Sequence, residues 1–433
     1  MSEPPLSAPP LSAPTPTGRT LIAGGLVFDG TGSAAAPADV VIEAGRIVAV
    51  GQGLDGDHRI DASGMTVMPG LIDCHVHVLF SEVDSWKTRM TPFSLAFYEA
   101  ARNLRLTLEA GVTTVRDALG ADHGTKAAQE LGLISGPRLL IAIQMLGQTG
   151  GHGDCFLPSG HDSPLRTPYP GFPDGVVDGV VQARRAVREL ARSRADWIKI
   201  AATGGVLSDA PLDRRQLRDD ELAEIVTEAA AAGLDVMAHA MTPAGIKAAI
   251  RNGVRSIEHG IHLDDEAIEL LVNHGVWLVP TLVAPLAVLR AADAGNVALP
   301  RGALEKARAA ATTHADSFRR AVEAGVRIAM GTDSGVAVHG RNPEELAAMV
   351  DAGMTPSAAL HAATGSAAEL LRLDGDIGLV REGNVADLIL LADAATPASG
   401  TDTAGATDVT DFAARVATVI QAGQVVHRRS VSR

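Results

Sequence analysis

Aromatic residues are scarce in this 433-residue chain: Phe, Trp and Tyr together make up 3% of it, so packing must rest on Ala, Val, Leu and Ile. Cysteine is scarcer still. Cys74 and Cys155 alone cannot build a disulfide framework at this size, and they read as thiols of a reduced compartment. No basic block offsets the 51 acidic residues that give a net charge of −14, which argues against nucleic acid or an anionic membrane as partner. No apolar run reaches the ~18 residues a membrane helix needs. The first residues, MSEPPLSAPPLSAPTPTGRT, lack the basic and apolar regions of a signal peptide. They read as a disordered Pro/Ser-rich leader over 1–18, and a cytoplasmic location follows by default. What remains is 46% hydrophobic and 20% charged, the composition of a folded globular chain.

The two ends share one texture. Short alternating runs, LIAGGLVFDG and DVVIEAGRIVAVG, are broken by Gly and Asp over 19–66, and GNVADLILLA and VATVIQAGQVVHR repeat the pattern over 378–433. They predict a small β-sandwich module assembled from both chain ends. Within it, TPASGTDTAGATD (396–408) reads as a surface loop.

The middle, 67–377, alternates differently. Eight apolar runs read as strands: MPGLIDCHVHV (68–78), GVTTVRDA (111–118), PRLLIAIQM (137–145), ADWIKIA (195–201), LDVMAHA (234–240), VRSIEHG (254–260), GVWLVPTL (275–282) and VRIAMGTDS (326–334). Ala-rich stretches of helical period lie between them, several closing on a Gly. The fold class is therefore α/β, a (β/α)8 TIM barrel.

In such a barrel, polar residues at the C-terminal strand ends carry the chemistry. The first strand ends in His75 and His77, which strand period two puts on one face. Alone, such a pair could be two hydrogen-bonded histidines in a half-buried strand. Yet Lys199 lies inside the apolar WIKIA, and His239, His259 and Asp333 end the fifth, sixth and eighth strands. Charged groups are rarely buried without partners, so a structural explanation would have to hold five times over.

Four imidazoles and a carboxylate suit two divalent ions, zinc above all. An ammonium is no metal ligand. A Lys199 amine that takes up CO₂ becomes a carbamate, a two-oxygen anion able to bridge both ions. A hydroxide between them would be the nucleophile, with Asp333 as acid and base.

This set resembles the binuclear metal-dependent amidohydrolase superfamily over nearly the whole chain, end modules included. The resemblance implies His75 and His77 on the first metal, Lys199 as carbamylated bridge, His239 and His259 on the second, and Asp333 on the first metal as catalytic acid/base. No ligand position is substituted. TGGHGD (149–154) and ATGGV (202–206) resemble the branch of Xaa-Pro dipeptidases and carboxypeptidases that also includes ochratoxin-hydrolysing amidases. Glycines there would bring backbone N–H groups to a substrate carboxylate, and His152 would bond the scissile carbonyl. The alternative for this segment is a pair of flexible turns with a solvated histidine. Where many branch members carry a Tyr two residues past the strand-5 histidine, this chain has Met241, which donates no hydrogen bond. His262 reads as a loop histidine, and Cys74, facing away from His75, as packing against a helix.

The expected function is hydrolysis of an amide or peptide bond beside a free C-terminal carboxylate, in a dipeptide, an N-acyl amino acid or an ochratoxin-like amide. The alternative is opening of a cyclic amidine or imide ring, as in imidazolonepropionase-like relatives. A decayed, non-enzymatic barrel is disfavoured because all six ligand candidates are present. Small molecules are the expected partners, and a homo-oligomer is left open.

Overall fold

Alternating apolar residues at the N-terminal end form β1 (Thr20–Val27), β2 (Ala36–Glu43) and β3 (Arg46–Gly51), an antiparallel meander, followed by β4 (His58–Asp61) and β5 (Met65–Pro69). This computed structural model describes residues 18–392 and 408–429 except positions 158, 167, 209, 296 and 301. The leader expected over 1–18 and the loop expected over 396–408 thus lie outside the described residues, save their last positions.

The barrel begins directly after β5. Its strands are β6 (Leu71–Val76), β7 (Val112–Asp117), β8 (Arg138–Ile141), β9 (Met145–Leu146), β10 (Trp197–Ala201), β11 (Asp235–Ala240), β12 (Ser256–His259) and β13 (Trp277–Val279). Consecutive strands pair in parallel from β6 to β8 and from β9 to β13. The run expected as one third strand is split into β8 and β9 around Ile143, whose φ of 65° no regular strand allows. Asp196 N–H donates to the Ile141 carbonyl and ties the two halves of the ring together.

The eighth expected strand is irregular. Over 326–334 it keeps only parallel bridges, Ile328 to Leu278 of β13 and Ser334 to Val76 of β6, yet these suffice to close the ring. Helices on the outside, among them Leu95–Glu109, Val180–Arg192, Asp219–Ala231 and Ala303–Glu323, bury one apolar stripe each. Leu104, Leu190, Leu222 and Phe318 sit in those stripes, each contributing roughly 1.5–3 kcal/mol by leaving water.

The chain then returns through β14 (Leu388–Ala392), β15 (Val416–Gln421) and β16 (Gln424–Arg428). β14 pairs antiparallel with β5, giving one eight-stranded sheet in the order β16-β15-β14-β5-β1-β2-β3, with β4 beside β1. Ile22, Val40 and Ile47 from one end meet Leu388, Leu390 and Ile420 from the other in a single apolar cluster. The β module from both chain ends is therefore present, beside a (β/α)8 barrel.

The run expected as the first barrel strand, 68–78, is divided between module and barrel at Gly70. A Cβ there would lie 2.2 Å from the Thr113 side chain, so only glycine lets the chain pass. Among the described residues, no helix is long and apolar enough to cross a membrane.

Candidate active site

The C-terminal ends of the barrel strands converge on a cavity of about 680 Å³ lined by His75, His77, His152, Lys199, His239, His259 and Asp333, among others. Each of these was singled out in the sequence, and the fold brings all seven together. His77 Nε2 lies 3.0 Å from Asp333 Oδ1, and His75 Nε2 lies 3.5 Å from the same oxygen. The ring of His259 is 5.0 Å from that of His75 and 4.7 Å from that of His239. Lys199, from β10, reaches to 3.5 Å from His75 Nε2 and is only 2% exposed.

Four of the five imidazoles, all but His152, have one nitrogen tied back. His75 Nδ1 contacts Glu258 Oε2 at 2.7 Å, His77 Nδ1 the Leu119 carbonyl at 3.1 Å, His239 Nε2 the Gly204 carbonyl at 3.1 Å, and His259 Nδ1 the Thr281 hydroxyl at 2.7 Å. Such bonds fix tautomer and ring orientation, leaving the other nitrogen of each ring for a ligand. Burial holds His75, His239 and His259 well below the usual histidine pKa, so they are neutral, as metal coordination requires. Burial acts the same way on His77, but the hydrogen-bonded Asp333 outweighs it and raises the pKa. Burial would push Asp333 up, yet His77, His75 and Lys199 overcome it and hold the carboxyl at about 2. The donor set fits divalent ions.

Lys199 is the unusual member. Among the described residues no carboxylate lies within salt-bridge distance of its amine. Burial brings its pKa down to about 8, so a fraction of the amine is unprotonated at neutral pH.

Three strand ends at this face place non-glycine residues in the left-handed region: His259 at φ 73°, Thr281 at φ 57° and Asp333 at φ 57°. Each such residue costs about 1–3 kcal/mol, a strain typical of positions whose side chains must be aimed. Nothing in the sequence marks them. The backbone N–H groups of Thr332 and Asp333 both donate to the His75 carbonyl, which holds the turn.

His152 stacks on His239 at 4.2 Å with 19° between the planes. It is a half-buried, cavity-lining group rather than a solvated one, and desolvation lowers its pKa to about 4. Its Nδ1 is buried without a hydrogen-bond partner among the described residues. The His152 ring accounts for the nearby Gly205: a Cβ there would fall 2.2 Å from His152 Cε1. The glycines of the two loops make less of an anion cradle than their sequence suggests. Gly150 N–H donates to Asp154 Oδ2, Gly151 N–H to the Gln148 carbonyl, His152 N–H to Gln216 Oε1 and Gly205 N–H to Ser208 Oγ.

Beneath the imidazoles lies a layer that the sequence reading missed. Arg116 of β7 and Glu258 of β12 are both fully buried. Arg116 Nη2 donates to both Glu258 oxygens at 3.0 and 3.2 Å, Nε donates to the Cys74 carbonyl, and the guanidinium lies over the Trp197 ring. Asp73, also buried, accepts from the Thr332 hydroxyl at 2.7 Å and from Asn342 at 2.8 Å, clamping the Asp333 turn to β6. The available signal was the one that exposed Lys199: a charged residue inside an apolar strand.

Cys74 lies in an apolar cluster at the barrel floor. A register irregularity in β6 between Asp73 and Val76 breaks the simple alternation, and the cluster joins Cys74 to Ile72, Trp197, Met237, Trp277 and Val279 and to Ala367, Ala368 and Leu370 of the Gly365–Leu370 helix. Met241 lies in the cavity wall, in an apolar cluster with Val206, Ile261 and Val288. His262 is a half-buried loop residue whose N–H donates to the Met241 carbonyl.

Comparison with known proteins gives a consistent result. The model of the Amidohydrolase family matches residues 66–426. Ochratoxinase from Aspergillus niger is 35% identical over 401 residues, covering 86% of this chain and 81% of that protein. The crystal structure of that enzyme superposes with a TM-score of 0.81 at 32% identity, over 96% of both chains. A prolidase complexed with N-methylphosphonate-L-proline is 37% identical with a TM-score of 0.84, covering 95% of this chain and 100% of that one. A Xaa-Pro dipeptidase with methionine bound in its active site is 32% identical with a TM-score of 0.83, at the same coverage.

Proposed function

The chain belongs to the amidohydrolase family and is a hydrolytic enzyme, and from that premise we propose that it cleaves an amide or peptide bond beside a free C-terminal carboxylate. The substrates would be dipeptides or N-acyl amino acids, ochratoxin-like amides included. The observation that carries this reading is the convergence at one cavity mouth of His75, His77, His239, His259, Asp333 and the buried amine of Lys199, which has no carboxylate partner among the described residues. The names of the relatives, an ochratoxinase, a prolidase and a Xaa-Pro dipeptidase, support the choice of bond.

Two divalent ions, for which zinc suits the donors best, would be held by His75, His77 and Asp333 on one side and by His239 and His259 on the other, with carbamylated Lys199 between. When bound, they supply Lewis acidity that brings the pKa of water near neutrality and polarises a carbonyl. The rest falls to the chain's own groups. Asp333, kept ionised by its cationic surroundings, accepts the proton of the attacking water and returns it to the leaving nitrogen. His152, neutral at physiological pH, presents a ring N–H to the carbonyl oxygen as charge builds on it. Met241 and its neighbours give the acyl group an apolar wall in place of a further hydrogen-bond donor.

The test is a screen of N-acyl amino acids, dipeptides and an ochratoxin-type amide with zinc-loaded protein, read as released amine. Turnover of at least one of these classes, abolished by chelation and restored by zinc, is the expected result. Full activity after thorough metal removal, or no release from any of the three, would refute the proposal.

A further inference from the structure

The hydrolysis proposed above requires a partner for the substrate's free carboxylate, and the glycine loops are poorly placed to be it. Most of their N–H groups are already committed to Asp154, Gln148, Gln216 and Ser208. A different donor has to be found in the same cavity.

Among the described residues two guanidinium groups are buried, and the fold treats them in opposite ways. Arg116 is neutralised by Glu258 at 3.0 Å. Arg166, in the segment between β9 and the Val180–Arg192 helix, is 9% exposed and lines the cavity, yet no carboxylate of the described residues lies within salt-bridge distance of it. One of its Nη groups donates to the Leu79 carbonyl, and its face lies over the Phe80 ring at 4.8 Å. Its Nε is buried with no hydrogen-bond partner among the described residues. Burial lowers its pKa, opposed in part by Tyr169, Asp117, Glu99 and Asp122, none of which forms a salt bridge with it.

Arginine cannot escape this predicament by losing its proton. A buried charge without a counter-ion is strongly unfavourable, whereas a guanidinium facing a carboxylate gains short, charge-assisted bonds with the right planar geometry. The position also suits the chemistry. The Phe80 ring that carries Arg166 is itself 6.0 Å from the His77 ring, so a single aromatic ring separates the guanidinium from the His77–Asp333 pair.

We propose that Arg166 is the receptor for the substrate's free carboxylate, with Nε and the remaining guanidinium N–H groups as donors. It is thereby a specificity-determining residue of the cavity. The inference rests on the hydrolytic reading above, and it moves recognition of the anion from the glycine loops to one side chain.

The experiment compares a dipeptide or N-acyl amino acid with its C-terminal carboxamide, using zinc-loaded wild type, Arg166→Met and Arg166→Lys. Wild type should prefer the carboxylate. In Arg166→Met the ratio of kcat/KM for carboxylate over carboxamide should fall about 10- to 100-fold, chiefly through KM, with metal content retained. Arg166→Lys, which keeps the charge but loses the planar fork, should fall between the two. Product inhibition by the released amino acid should weaken in the same order. If Arg166→Met does not fold, Arg166→Gln, which keeps an N–H donor for the Leu79 carbonyl, carries the same comparison.

Equal losses on both substrates would show Arg166 to be only an anchor for its loop, and an unchanged ratio would remove it from recognition. Either result overturns the inference while leaving the hydrolytic reading intact. A wild type that turns over neither substrate refutes that reading, and the inference with it.

Discussion

Replacing Glu258 by glutamine removes one negative charge from a fully buried layer while preserving shape, and two consequences separate cleanly. The first concerns stability. Arg116 has Glu258 as its counter-ion at 3.0 Å, and neither side chain is exposed. Breaking a buried pair on one side leaves an uncompensated charge, so Glu258→Gln should lower the unfolding free energy of metal-free protein by about 3–5 kcal/mol. The second concerns the imidazole above it. His75 Nδ1 meets a carboxylate, whereas His77 and His239 meet backbone carbonyls and His259 a hydroxyl. His75 is thus the one of these four whose tied-back nitrogen meets an anion, and the change should weaken zinc binding at the His75 side by about 10- to 100-fold. Chemical denaturation of the apo-protein and zinc titration against a competing chelator measure the two effects independently. The double variant Arg116→Met/Glu258→Gln should recover much of the stability, since no charge is then orphaned, but none of the affinity. If the double variant recovers the affinity as well, the metal effect is only a shadow of instability. An unchanged zinc affinity in Glu258→Gln would refute the argument outright.

Lys199→Ala should load metal poorly, with partial rescue by acetate or propionate; reconstitution of wild type should be faster with bicarbonate, and Lys199→Arg should remain inactive because its guanidinium cannot take up CO₂. Bicarbonate-independent loading, followed by metal analysis, would argue for a free amine. Asp333→Asn should keep fold and most metal while kcat drops about 10²- to 10⁴-fold, and near-normal turnover would remove Asp333 from proton transfer. Gly205→Ala places a methyl 2.2 Å from His152 Cε1, so it should displace the ring from its stack on His239 and lower kcat about as much as His152→Ala does, with metal content unchanged. A fully active Gly205→Ala enzyme would dissociate His152 from catalysis.

The histidines and Asp333 were legible because strand ends of a barrel are fixed by periodicity, and a ligand-type residue at an otherwise apolar strand end stands out. Lys199 was legible for the same reason. Arg116 and Glu258 were equally conspicuous within VTTVRD and RSIEHG, but nothing in one dimension says that two positions 142 residues apart face each other across the barrel. At Cys74 the alternation that sets side-chain facing is interrupted by a register irregularity, beside backbone bonds to the Asp333 turn that one dimension does not display. The left-handed residues His259, Thr281 and Asp333 escaped notice since none is a glycine. In the glycine loops the residue type was read correctly and its purpose was not. Gly205 makes room for a ring, and the N–H of Gly150 serves a local aspartate.

The ragged eighth strand has a consequence for how the barrel comes apart. Its join to β6 is an irregular set of backbone hydrogen bonds, Cys74 N–H to the Met330 carbonyl, Asp333 N–H to the His75 carbonyl and His77 N–H to the Ser334 carbonyl, reinforced by Asp73 gripping Thr332 and Asn342, contacts between residues 259 and 269 positions apart. Such a seam closes late, since long-range contacts form only after the intervening chain is ordered. His75 and His77 stand on one lip of that seam and Asp333 on the other. An ion bound there would act as a clasp, adding about 2.7 kcal/mol at a free concentration a hundred times its dissociation constant. Catalytic competence and resistance to unzipping would then be lost together when the metal leaves, and the apo-protein should be cleaved by proteases first at the segment leading into 326–334.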